Sequence, residues 1–314
     1  MQRSSPVTGQ FASTDVVTLV RRSMQESGLE RTRPAARATS ARMPFGAKRE
    51  ILAEIASRHG LGPLLEVGNQ LVHVKQEPVV AALLAAHDVP DLFARWSRLE
   101  AIMHSHHRVR VKDFGSDFLV AEHISLGETP PTDFEHILIF GILSAAIPLI
   151  GAEGVTVSPD SGATMLPVTP RGAVSGDWDV KASPLWRFEW KPIVRPSQEM
   201  ATDPIRGVGA FTSMLRADPT RRWTVAVAAA SLNMSTRTFQ RSLGFQGGFA
   251  AVVGAVRAQR SAELLLAARE PLSTVAFICG YSDQPHFTRE FKRRTGMTPS
   301  TYRLLFNESK KVHQ

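Results

Sequence analysis

The residues best suited to chemistry in this chain lie near its C-terminus. The stretch GYSDQPHFTREFKRRTGMTPSTYR, residues 280–303, sets Arg289, Lys292, Arg293 and Arg294 around Phe287 and Phe291. Two phenylalanines four apart bury one face of a helix, which leaves the cations to solvent or to a polyanion. Two other groups could do chemistry. His104, His106 and His107, with His123 and His136 further on, could offer imidazole nitrogens to a metal. They lack a regular helical pairing with a carboxylate, and they end a helix, where histidine complements the dipole. No metal and no cofactor are therefore expected. Cys279, the single cysteine, sits in Ala-Phe-Ile-Cys with no base beside it. It reads as a small buried hydrophobe rather than a nucleophile, and no catalytic residue is expected. A lone cysteine also excludes an internal disulfide and a cysteine-based zinc site.

The charge is unevenly placed. Residues 200–314 hold 16 Lys and Arg against 7 Asp and Glu, while residues 1–199 hold 21 against 22. The whole positive excess of the chain (+8) thus lies in its last third, the signature of a basic segment with a polyanionic partner. The longest apolar run, Ile137–Ile150, is shorter than the ~20 residues a membrane span needs. The N-terminal MQRSSPVTGQ has no apolar core, so no secretory leader is expected and a cytoplasmic location follows as the default.

The elements that must position these residues follow from periodicity. In the first 44 residues a helix is expected over Asp15–Ser27, then a basic, Pro-punctuated tether. Helices are expected over Ala47–His59, Val79–Ala86 and Asp91–His104, the last with Leu92, Trp96, Leu99 and Met103 on one stripe. Val109–Val111, Phe118–Ile124, Val155–Val157 and Leu185–Trp190 read as strands, Phe134–Ile150 as a long apolar helix, and Ser158–Ser183 as a loop. From Met214 onward only helical patterns remain. The expected organisation is an N-terminal extension (1–44), a mixed α/β or α+β domain (45–198), a linker (199–210), an all-α domain (211–306) and a tail (307–314).

The all-α part contains an internal repeat. AAASLNMSTRTFQRSL (228–243) and VAFICGYSDQPHFTREF (275–291) share a small residue six before a serine, Ala229 before Ser235 and Ala276 before Ser282. Each has a turn-permissive residue two before that serine, Asn233 and Gly280. Each then has aromatic, arginine and apolar residues at steps of two, Phe239, Arg241, Leu243 and Phe287, Arg289, Phe291, 47–48 residues apart between copies. The second copy has one extra residue after the serine. Each copy reads as a helix, a sharp turn, a serine N-cap and a second helix whose inner face is the apolar pair. The outer faces, Thr236, Arg237, Gln240 and Arg241 in one copy and Asp283, Gln284, His286 and Arg289 in the other, are the candidate base contacts. Arginine and glutamine pair bidentately with guanine and adenine in the major groove. Lys292, Arg293 and Arg294, one turn on, are candidate phosphate contacts. Asp283 could instead stabilise the helix N-terminus, and His286 could instead cover the helix surface.

Residues 221–303 resemble the DNA-binding domain of the AraC/XylS family of bacterial transcription regulators. Residues 278–303, which run from Ile278 through Gly296 and Pro299 to Arg303, follow that family's C-terminal signature nearly position for position. Arg257 matches the arginine of the family's connecting helix and joins the phosphate candidates. Ser261 stands where the family usually has alanine, and the Leu243–Phe249 connection is shorter than usual. The resemblance implies seven helices carrying two helix-turn-helix motifs, a bacterial cytoplasmic protein, promoter DNA and RNA polymerase as partners, and activation. Residues 45–198 resemble, less specifically, the arabinose-binding-like domain of one branch, which implies effector sensing or homodimerisation and names no ligand. The expectation is a DNA-binding transcription regulator and not an enzyme. The alternatives are a ligand-independent regulator with a protein-docking N-terminal domain, and a DNA-repair or metal-dependent enzyme.

Overall fold

The structure, a computed structural model, describes residues 11–29, 42–103, 106–159, 165–170, 172–174, 182–191, 208–267 and 270–307. His104, the tail beyond Asn307, most of the expected linker and much of the Ser158–Ser183 loop lie outside the described residues. By its contacts the chain divides into two compact units, residues 1–75 with 83–196 and residues 76–82 with 197–314.

The first unit opens with strand β1 (Phe11–Ser13), helix α1 (Thr14–Glu26) and strand β2 (Arg42–Pro44), with β1 and β2 antiparallel. Val17, Val20 and Met24 of α1 are buried, and Glu26 accepts from the Gln70 amide at 2.9 Å. The helix expected in the extension thus packs as part of this unit. There follow α2 (Phe45–His59), α3 (Gly62–Leu65), a 3₁₀ segment (Glu66–His73), then α4 (Pro78–Leu84), most of which groups with the second unit, and α5 (Val89–Met103). The sequence reading missed the turns between Gly62 and His73, which are too short to show a period. Strands β3 (His107–Phe114) and β4 (Phe118–Ser125) precede α6 (Asp133–Leu149), and β5 (Glu153–Ser158), β6 (Leu166–Pro167) and β7 (Leu185–Lys191) complete a five-stranded antiparallel sheet in the order β3-β4-β7-β5-β6. β7, last in the chain, inserts between β4 and β5, and its Trp186, Phe188 and Trp190 alternate into the core.

α6 is apolar on every side because it is covered on every side. Its approach to the 3₁₀ segment is so close that a methyl on Gly68 would strike the Gly141 carbonyl. The start of α6 is fixed by Glu135, whose carboxylate accepts from the backbone N–H and the hydroxyl of Thr132, both at 3.0 Å. The histidines meet here. His107, His123 and His136 form a buried run in which His123 Nδ1 and His136 Nδ1 are 3.1 Å apart. Burial pushes the His107 imidazole down to about 4 and the His136 imidazole below its ordinary value. Among the described residues no group of three His, Cys, Asp or Glu side chains could hold a metal.

Besides most of α4, the second unit carries seven α-helices among its described residues: α7 (Val208–Ala217), α8 (Val225–Ser231), α9 (Thr236–Leu243), α10 (Phe249–Ala267), α11 (Leu272–Ile278), α12 (Gln284–Thr295) and α13 (Pro299–Asn307). Phe211, Trp223, Phe239 and Val252 centre one cluster around α8 and α9. Phe287, Phe291, Tyr302 and Phe306 form a second, with successive rings 4.9–5.5 Å apart. The long helix α10 touches α7, α9, α11, α12 and α13 and is the spine of the unit. Residues 76–82 join this unit, and the Tyr302 hydroxyl donates to the Pro78 carbonyl at 2.6 Å.

Candidate DNA-binding interface

The two copies of the repeat fold alike. In the first, α8 begins at Thr224, whose hydroxyl accepts from Val227 N–H at 3.2 Å. It ends in a turn where Asn233 adopts φ 52°, the only positive φ outside glycine among the described residues. Met234 N–H reaches back to the Ala229 carbonyl at 2.9 Å. In the second copy α11 ends with Gly280 at φ 75°, and Tyr281 N–H reaches back to the Ala276 carbonyl at 3.0 Å. Both are Schellman closures, in which a left-handed residue turns the chain and a backward bond satisfies a terminal carbonyl. Ala229 and Ala276, each the acceptor, are buried where the helices cross. At Gly280 a side chain is excluded twice, by φ and by the Pro219 carbonyl that a methyl would strike.

The caps differ from expectation in one copy. Ser235 caps α9, accepting from Thr238 N–H at 3.1 Å. Ser282 does not cap α12. The cap is Asp283, whose Oδ1 accepts from His286 N–H at 2.6 Å, and that bond holds its carboxyl below the usual range. The extra residue of the second copy therefore lies in the turn. Counted from the caps the helices are in register: Phe239 matches Phe287, Arg241 matches Arg289 and Leu243 matches Phe291. All four apolar side chains of these pairs are fully buried. Gly296, at φ 75°, closes α12 with its N–H on the Lys292 carbonyl, and buried Pro299 starts α13.

Thr236, Arg237, Gln240 and Arg241 are exposed along the outer face of α9, and Gln284 and Arg289 along that of α12. Asp283 is exposed, but its carboxylate is engaged by the cap and by the Ser282 hydroxyl. His286 is half-buried, with Nδ1 2.9 Å from the Ser282 oxygen and its ring edge-on to Tyr281. Lys292 and Arg293 are exposed, and Arg293 also pairs with Glu290 at 2.7 Å.

Two phosphate candidates are corrected. Arg294 turns inward: its side chain is 12% exposed, and it lies against Gly254 of α10 and donates to the Ala251 carbonyl at 3.3 Å. Arg257 is half-buried and donates to the Pro219 carbonyl at 3.3 Å, beside Gly280. Both guanidinium groups are staples of the scaffold. Cationic residues missed by the sequence reading are Arg221 and Arg222, exposed just before α8. Arg221 stacks over Trp223 at 4.6 Å, and the adjacent pair of arginines ahead of a capping threonine was the available signal. Cys279 is fully buried, and burial pushes its thiol up, away from nucleophilic use. Ser261 keeps its buried hydroxyl satisfied by donating to the Arg257 carbonyl of its own helix at 2.7 Å.

Residues 228–304 match the family model described as a helix-turn-helix domain. Solved structures that resemble the chain include ToxT from Vibrio cholerae, 20% identical, covering 34% of this chain and 40% of ToxT with a TM-score of 0.32. They include the C-terminal domain of AraT, a response regulator from Geobacillus stearothermophilus, 25% identical over 36% of this chain and 96% of that domain, TM-score 0.32. The DNA-binding domain of AdpA, a global transcriptional factor solved with a target DNA, is 21% identical over 34% of this chain and 98% of that domain, TM-score 0.31. No curated protein matches the chain. Residues 228–304 thus form a helix-turn-helix domain. Among the described residues no helix is long and apolar enough to cross a membrane.

Proposed function

We propose that the chain is a sequence-specific regulator that binds promoter DNA with α9 and α12 as paired recognition helices, in the bacterial cytoplasm. The observation that carries this reading is the doubled motif. Two capped helices each bury an aromatic-led inner face and turn Arg and Gln outward. Recognition helices enter the major groove by such a face, and two of them suit successive turns about 34 Å apart. Arg237, Gln240, Arg241, Gln284 and Arg289 read base edges, and Lys292 and Arg293 contact phosphates. Arg221 and Arg222 add charge beside the first motif. The protein activates transcription through RNA polymerase, under control of the first unit, which senses a small molecule or forms a homodimer.

A groove of about 510 Å³ in the first unit supports that regulatory role. It is lined by Phe93, Ala94, Val109, Val111 and Leu119, beside Phe114 and Leu126, which are 60% and 59% exposed. The test is sequencing of genomic fragments retained by the purified protein across a salt series. A shared motif of two blocks about one helical turn apart is expected. Retention without any motif would reduce the second unit to an electrostatic anchor and overturn the reading.

A further inference from the structure

The turn into α12 holds a relay of three side chains whose hydrogens can be counted. Asp283 Oδ1 takes the cap bond from His286 N–H at 2.6 Å. Its Oδ2 accepts from the Ser282 hydroxyl at 3.1 Å, and the same hydroxyl oxygen lies 2.9 Å from His286 Nδ1. An ionised carboxylate only accepts, and a serine hydroxyl has one hydrogen. If that hydrogen pointed at Nδ1, the serine oxygen would face the carboxylate with lone pair against lone pair. Pointed at Asp283, it leaves the serine oxygen free to accept from Nδ1–H, and all three groups are satisfied. A neutral imidazole carries one ring proton. With that proton on Nδ1, the remaining nitrogen, Nε2, is an acceptor.

From this geometry we infer that Ser282 and Asp283 are positioning residues that fix His286 as the Nδ1–H tautomer, so that Nε2 selects a base bearing an exocyclic amine, adenine or cytosine. The inference rests on α12 being a recognition helix. His286 is its third residue, and the N-terminal residues of such a helix meet base edges. In the major groove adenine N6 and cytosine N4 are donors, whereas guanine N7 and O6 and thymine O4 are acceptors. The first copy has no such device. Thr238 stands at the matching position, and its hydroxyl, 2.9 Å from that of Ser235, can donate or accept.

The test uses the full chain and Asp283→Asn. Asparagine keeps the capping oxygen but replaces Oδ2 by an amide donor. The Ser282 hydrogen then turns to Nδ1, the ring proton moves to Nε2, and the acceptor becomes a donor. Selection from randomised duplexes is expected to give wild-type enrichment of adenine or cytosine over guanine and thymine at one position, about fivefold, the size of one hydrogen bond. Asp283→Asn reverses that preference and leaves the other positions alone, and His286→Ala flattens it. In parallel, ¹⁵N-histidine NMR of the free protein, with the His286 signals assigned by their loss in His286→Gln, should show Nδ1–H in wild type. It should show a tautomer mixture in Ser282→Ala, which serves if Asp283→Asn does not fold. Wild-type Nε2–H, or unchanged preference and tautomer in both variants, overturns the inference. A wild-type protein that selects no motif at all, with Nδ1–H seen by NMR, overturns the recognition-helix reading and the base preference that depends on it.

Discussion

Arg294 and Lys292 are two residues apart in a run that looks uniformly suited to phosphates, yet the structure gives them opposite fates. Arg294→Ala removes a largely buried guanidinium that donates to the Ala251 carbonyl at 3.3 Å and fills the space over Gly254. A hydrogen bond from a charged group contributes about 1.5–3 kcal/mol. The bond is long, so we take roughly 2 kcal/mol, including the packing of the stem. In a domain of this size each kcal/mol shifts Tm by about 4–8 °C, so the second unit should melt roughly 8 °C or more below wild type. The residual folded protein should show an unchanged salt dependence of DNA binding, because no phosphate contact has been lost. Lys292→Ala should do the reverse. Its side chain is exposed, so Tm should hold while the slope of log K against log salt falls by about 0.9, one phosphate's worth. Differential scanning calorimetry and binding at four salt concentrations read both quantities on the same preparations. A normal Tm with a reduced slope for Arg294→Ala would refute the assignment of that residue to the scaffold.

Arg237→Ala and Arg289→Ala should lose preference for the selected motif by about 1–3 kcal/mol while binding random DNA nearly as before, as competition binding would show. Gly280→Ala should destabilise by about 1–3 kcal/mol, since φ 75° and the Pro219 carbonyl both oppose a methyl, whereas Asn233→Gly should stay within about 1 kcal/mol of wild type in urea melts. Ser261→Ala should destabilise by about 0.5–1.5 kcal/mol in urea melts, because its buried hydroxyl bonds the Arg257 carbonyl and also reaches the Cys279 and Tyr281 side chains. Burial raises the Glu100 carboxyl to about 7. The folded state therefore keeps a proton that the unfolded chain gives up near pH 4, so this group's contribution falls as pH rises from about 4 to about 7. Glu100→Gln keeps an oxygen for the Val109 N–H and should gain on wild type across that window when urea midpoints are compared at pH 5 and pH 7.5.

Much of the second unit was legible from the sequence because its determinants are local. The left-handed turn at Asn233 or Gly280, the small residue six before the serine, and the apolar pair four apart all act within one motif. Repetition of that pattern made the reading specific. The cap of α12 was misassigned because Ser282 and Asp283 are both good caps, and only backbone direction decides which oxygen faces the His286 N–H. In the first unit the long helices and four main strands could be read from period. The placement of β7 between β4 and β5 could not, because strand order is a non-local property and an antiparallel partner leaves no mark in a strand's own alternation.

The cations divide the two kinds of information. The sequence by itself determined that the last third is basic, that it carries two copies of one motif, and which residues lie on the inner faces of α9 and α12. Only the tertiary structure decided which positive charges stay on the surface and which turn inward. Arg257 and Arg294 carry the same charge as Arg241 and Arg289, but the fold turns the first two inward, where Arg257 of α10 bonds to the Pro219 carbonyl and Arg294 of α12 to the Ala251 carbonyl of α10. A long flexible side chain can reach several ångströms to either side of its helix, so its partner is chosen by what the fold brings within that reach.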